Sequence, residues 1–198
     1  MAETLSRNSP LAGFGAGTDG REPRIAERLG LSQINLRGDG VDLGFRQAVE
    51  KALGLTLPDA GRSSSVGPVT VLWLGPDEWL VVGEDGGDAL MDILHQALEG
   101  LDAAVTDVSD ARAVMRLSGS GARDVLAKGC TLDLHRRIFG PGQVAQSTLA
   151  KADVILFEVA GDDDGEPTYD IHVGRSFAEY LWLWLAVARR NFHACRED

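Results

Sequence analysis

A chain of 198 residues with 30 acidic and 19 basic side chains, a formal net charge of −11, has the size of one domain or of two small halves sharing a core. Its acidic balance and scattered Lys and Arg exclude a nucleic-acid surface, which needs a basic face. Its longest apolar run, the nine residues from Tyr180 to Ala188, excludes a membrane-spanning helix of roughly 20 residues.

The opening residues, MAETLSRNSPLAG, hold no apolar stretch of the secretory kind, so a cytoplasmic, reducing setting is expected. Residues 1–24 carry Gly, Ser, Pro and charge without apolar periodicity and read as an extended arm. Pro10, Leu11 and Phe14 are its apolar points. They either cover a nearby core edge or dock on a partner, since an ordered tail must gain burial somewhere.

Residues 25–190 read as one α+β domain of two similar halves, about 25–102 and 103–190, followed by a polar tail, 191–198. In the first half Ile34-Asn35-Leu36 is a short strand. Asp42 then caps a helix whose apolar face is Phe45, Ala48, Val49, Ala52 and Leu53, and Gly54 stops it. Val69–Leu74 and Trp79–Val82 form a hairpin around Gly75-Pro76-Asp77-Glu78. A second helix follows Gly86-Gly87, capped by Asp88, with Leu90, Ile93, Leu94, Ala97 and Leu98 as its stripe.

The second half repeats strand, helix, hairpin, helix. Val114–Leu117 is the strand, and Ala122, Val125 and Leu126 face a short helix. Val154–Val159 and Tyr169–Val173 are the hairpin, its tip at Gly161–Gly165. Such an order is an α+β pattern with helices on one side of a sheet. Val69–Leu74 is apolar at both parities, so it has no wet face, and two halves packed against each other would account for that.

The last helix starts at Ser176, with Glu179 completing a capping box. Phe177, Tyr180, Leu181, Trp184, Leu185 and Ala188 recur at helical spacing as the core face. Trp182 and Ala186 then fall on the opposite side, where a surface helix carries charge. Either the arm folds over Trp182 or a partner protein covers it. Partner burial is the reading preferred, with Pro10, Leu11, Phe14, Trp182 and Ala186 as the candidate interface.

No active site emerges from the residues. Ser118-Gly119-Ser120-Gly121 follows a strand and opens a helix, but it lacks the third glycine of a dinucleotide fingerprint and no βαβ crossover follows. His95, His135, His172 and His193 have no metal-ligand spacing, and Asp162-Asp163-Asp164 lacks the alternation of a calcium loop. Cys130, after Lys128-Gly129, reads as a small buried hydrophobe, and with Cys195 it builds no disulfide framework. Catalytic, cofactor-binding and metal-binding residues are therefore expected to be absent from the chain.

Several segments resemble one family. Leu74-Gly75-Pro76-Asp77-Glu78-Trp79-Leu80, Asp107–Arg112, Cys130–His135, Tyr169–Ala178, Leu181–Leu185 and Ser9-Pro10-Leu11 are similar, in order and spacing, to the gamma subunits of heterotetrameric sarcosine oxidases. The resemblance runs from about Ser9 to Ala188. It implies a fold related to the folate-binding domain of the glycine-cleavage T-protein. It implies alpha, beta and delta subunits as partners in a complex that oxidatively demethylates sarcosine to glycine, with hydrogen peroxide and formaldehyde or methylenetetrahydrofolate as products. FAD, FMN, NAD and tetrahydrofolate are then held by the larger subunits and zinc by delta, leaving this chain a structural role. Lys128-Gly129-Cys130 shares only its first three residues with a folate-binding signature. A free-standing folate-binding domain and an unrelated interaction module stand as the alternatives.

Overall fold

Strand Val69–Gly75 buries Val71 toward one layer and Leu72 and Leu74 toward another, and this two-sided burial sets the architecture. The computed structural model describes residues 8–14, 23–84, 87–159 and 165–193. Along them run β1 (Arg24–Glu27), β2 (Leu31–Gly38), α1 (Leu43–Leu53), β3 (Ser63–Val66), β4 (Val69–Gly75), β5 (Glu78–Glu84) and α2 (Gly87–Ala97). There follow β6 (Ala103–Asp107), β7 (Arg112–Ser118), α3 (Ala122–Ala127), β8 (Val144–Leu149), β9 (Ala152–Glu158), β10 (Thr168–Gly174) and α4 (Ala178–His193).

Two antiparallel five-stranded sheets form, in the orders β1-β7-β10-β9-β8 and β3-β4-β5-β2-β6. They stack face to face with helices outside, giving four layers. Leu72, Leu80, Val82, Val114, Ile155 and Phe157 fill the space between the sheets. Trp79, Val81 and Ile34 pack outward on α1 and α2, while Met115, Leu156 and Ile171 pack outward on α3 and α4. Along one margin the sheets are joined by backbone: Ser63 donates to the Gly142 carbonyl and Val144 to that of Gly61.

Local signals hold where they are chemical. The Asp42 carboxylate accepts from the Gly44 amide at 2.8 Å, and Gly54, at φ 70°, closes α1 by donating to Glu50. The β4–β5 connection is tighter than expected, with only Pro76 and Asp77 between the strands. Four strands lie outside the expected set: β1, β3, β6 and β8. β3 (SSSV) and β8 have little apolar alternation, because each sits at a sheet margin. The sheets also cut across a division at residue 102: β1 joins the sheet of residues 112–174, and β6 joins that of 31–84. Ile93, expected in the α2 stripe, is 44 % exposed.

The phase of α4 differs from the expected one. Ala178, Leu181, Trp182, Leu185 and Ala188 are buried, with Trp182 only 6 % exposed, whereas Phe177, Tyr180, Leu183 and Val187 face outward. A run apolar on every side carries no phase of its own, so packing decides it. The Trp184 ring lies so close to Gly129 that a Cβ there would sit 2.5 Å away, and Lys128 Nζ donates to the Ala188 carbonyl at 2.7 Å. The expected cap at Ser176 is replaced by a 3₁₀ turn at Arg175–Phe177, and α4 begins at Ala178.

The arm is not free either. Leu11 is 2 % exposed within the core between sheet and α4, Phe14 packs partly against that core, and Ser9 Oγ donates to Glu27. The side chain of Asp88, the acidic run Asp162–Asp164, Cys195 and the tail from 194 lie outside the described residues. Leu72→Ala, which opens a hole between the sheets, is expected to lower the unfolding free energy by about 2–5 kcal/mol in urea titration. Leu183→Ala, on the outer side of α4, should change it by less than about 0.5 kcal/mol.

Candidate functional site

Alternation along β10 places Tyr169, Ile171 and Val173 toward the helices and therefore Asp170 and His172 toward the other sheet. Asp170 pairs in register with Arg116 on β7. The two make a bidentate ion pair, Nε–Oδ1 2.7 Å and Nη2–Oδ2 2.8 Å. Arg28, in the link between β1 and β2, approaches the same carboxylate at 3.3 Å and also pairs with Glu84. These groups form one wall of a cleft of about 250 Å³, whose other walls include Leu31, Leu72, Val82 and Phe157. That volume is below the roughly 300–1,000 Å³ of pockets that enclose drug-sized ligands.

His172, buried, also lines this cleft. The Gln33 amide nitrogen donates to the Arg112 carbonyl at 3.3 Å, which turns Gln33 Oε1 toward His172 Nδ1 at 2.9 Å. Nδ1 therefore carries the hydrogen, and the bond ties β10 in one sheet to β2 in the other. Burial is the first cause that brings the His172 pKa down to about 4. Arg112 and Arg28 add to it and Asp170 opposes it. The ring is neutral at pH 7.

A second buried pair joins Glu158, at the end of β9, to Arg123 on α3. Burial and the adjacent Glu158 raise the pKa of the Tyr169 phenol, with Arg123 opposing. The Arg123 guanidinium lies 5.9 Å from the Tyr169 ring centre. Among the described residues, Tyr169 OH and Glu158 Oε2 have no hydrogen-bond partner. No nucleophile stands beside a base at either place. Among the described residues no three His, Cys, Asp or Glu side chains gather as metal ligands, and no helix is long and apolar enough to cross a membrane. Lys128-Gly129-Cys130 serves packing: Lys128 holds α4, Gly129 admits Trp184, and Cys130 bridges to Leu149.

The expected interface residues are not collected on the exterior. Leu11 and Trp182 lie within one apolar core, and Pro10, Phe14 and Ala186 are half-buried. The exposed apolar surface lies on another side of the same helix and the turn before it: Phe177, Tyr180, Leu183 and Val187. Phe177 and Tyr180 meet edge to face at 6.4 Å. Phe177 and Tyr180 were expected on the core face, and Leu183 and Val187 belonged to neither expected side of the helix.

A family model described as "Sarcosine oxidase, gamma subunit family" matches residues 37–191. The "Sarcosine oxidase subunit gamma" of Corynebacterium sp. strain U-96 is 35 % identical over 199 aligned positions, covering 96 % of this chain and 94 % of that protein. A chain of the heterotetrameric sarcosine oxidase from Corynebacterium sp. U-96, solved in complex with pyrrole 2-carboxylate, superposes with a TM-score of 0.85 and 33 % identity. That superposition covers 97 % of this chain and 99 % of its counterpart. The glycine cleavage system aminomethyltransferase T from Bartonella henselae shares the fold, with a TM-score of 0.59 at 17 % identity, over 81 % of this chain and 44 % of that one.

A buried neutral histidine has a consequence for pH. Unfolded, the imidazole titrates near 6.5; folded, near 4. Between those values the unfolded chain binds a proton that the native chain does not, so stability is full above pH 6.5 and falls as pH drops toward 4. The whole loss is roughly 3 kcal/mol. In urea titrations at stepped pH, His172→Gln is expected to flatten the decline over that window. A decline of unchanged depth in the variant would assign it to carboxylates instead.

Proposed function

The chain belongs to the sarcosine oxidase gamma subunit family, and on that premise we propose that it is the gamma subunit of a heterotetrameric sarcosine oxidase. It contributes shape and contact surface to the assembly, and the reacting groups lie on other chains. The observation that carries this reading is likeness over almost the whole length: 35 % identity across 96 % of the chain to a gamma subunit. The assembled enzyme is an oxidoreductase. On this reading it converts sarcosine to glycine with oxygen as acceptor, releasing the methyl carbon as formaldehyde or onto tetrahydrofolate. FAD, FMN, NAD and folate sit on the alpha and beta subunits and zinc on delta.

Within that reading the docking face is the outer stripe of α4. Phe177, Tyr180, Leu183 and Val187 are 46, 38, 49 and 58 % exposed, and an apolar patch centred on aromatics is the usual core of a stable interface. Trp182, packed inside, holds α4 in place. The likeness to aminomethyltransferase T supports a folate-binding alternative only at the level of fold.

Co-expression with the other three subunits tests the reading. The wild-type chain is expected to purify with flavin-bearing partners at equal stoichiometry. Leu183→Glu with Val187→Glu should keep its circular dichroism and melting temperature, yet reduce co-purification at least roughly tenfold, a loss of about 1.4 kcal/mol. Full assembly of that variant would move the docking face elsewhere. Failure of the wild-type chain to join any flavoprotein would end the subunit reading.

A further inference from the structure

The cleft between the sheets holds an arrangement that assembly alone does not require. Asp170 is nearly buried, its side chain 9 % exposed, and Arg116 spans both its oxygens. Taking such ions out of water costs several kcal/mol each, and a well-packed apolar replacement would be neutral or stabilising. Arg28 is bound differently. It leans on Asp170 at 3.3 Å with one amino group and gives the other to Glu84, whose side chain is 59 % exposed at the rim.

The cleft thus sets two guanidinium groups against one inward carboxylate, beside the apolar side chains of Leu31, Leu72, Val82 and Phe157. We propose that it binds a small monocarboxylate with a compact apolar body. The ligand carboxylate takes the place of Glu84 on Arg28, and the body enters the apolar half. The exchange is cheap, because an exposed ion pair contributes only about 0–1 in kcal/mol. The planar guanidinium suits a carboxylate in bidentate fashion. A volume of about 250 Å³ limits the body to one ring or a short branched chain; a cavity of about 150 Å³ already accepts benzene. The inference stands apart from the subunit reading, since it concerns a site internal to this chain.

Calorimetric titration of the full-length chain with benzoate tests it, with benzamide and sulfate as the neutral and the non-apolar controls. Benzoate is expected to bind in the range of roughly 0.1–1 mM, and both controls at least tenfold more weakly. Glu84→Gln, an exposed change that leaves the fold intact, should tighten benzoate roughly two- to fivefold by releasing Arg28. Val82→Phe, which fills the apolar half, should abolish binding. Silence toward benzoate up to about 10 mM in both the wild type and Glu84→Gln would overturn the proposal. So would benzamide or sulfate binding as well as benzoate, or no response of affinity to Glu84→Gln.

Discussion

The stacking of one sheet on the other is the constraint from which the remaining features follow. A strand in a two-layer protein can send its polar alternate positions to water, but a strand between a helix layer and a second sheet cannot. β10 meets that problem with Asp170 and His172 turned toward β2 and β5, and it resolves it by pairing. Asp170 receives two hydrogen bonds from Arg116, and His172 shares one with Gln33. Apolar contacts made by Leu72, Leu80, Ile155 and Phe157 fill the rest of the layer. The layer between the sheets therefore joins hydrophobic packing without direction to polar pairing: Asp170 and Arg116 tie neighbouring strands of one sheet, and His172 with Gln33 crosses to the other.

Helix α4 answers to the same constraint from outside. Its inner face must cover Met115, Ile171 and Val173 on the back of the sheet, and Leu181, Trp182 and Leu185 do so at no more than 6 % exposure. Leu11 reaches the same core from the N-terminal side, and Arg175 donates to the Asn8 carbonyl beside it. Once that face is committed, the outer apolar stripe is surplus to the fold. A half-exposed apolar stripe of this kind adds little to the monomer's stability, and the proposed contact surface is the economical account of its retention.

Elements with their own chemistry were legible from the residues. Asp42 and Gly54 marked both ends of α1, the β4–β5 and β9–β10 hairpins were placed, and the double-sided burial of Val69–Leu74 disclosed the packing of two halves. What stayed hidden was relational. Tyr169-Asp170-Ile171-His172-Val173 alternates as a half-wet strand would, and nothing local says that its polar side faces a second sheet. Asp170 and His172 lie together in the segment Tyr169–Ala178, but Arg28 and Arg116 come from separate segments, and nothing local brings them to it. In α4 the spacing points to Phe177, Tyr180 and Trp184 as part of the core face with Trp182 opposite, whereas distant contacts, Gly129 with Trp184 and Lys128 with the Ala188 carbonyl, belong to the phase that buries Trp182.

The two apolar faces of α4 and the ionic cleft mark a division of labour within a small chain. Charges that most proteins spread over the surface are here partly drawn inside, where Asp170 and Arg116 pair within one sheet and Arg28 links Asp170 to Glu84 on the other. Apolar side chains that most proteins bury are partly left outside. A net charge of −11 opposes the second tendency, because like-charged copies repel one another. Docking on a partner with a matching apolar patch escapes that repulsion when the partner is less acidic. On the proposed docking reading, the charge favours assembly with a less acidic chain over assembly with a copy of this one.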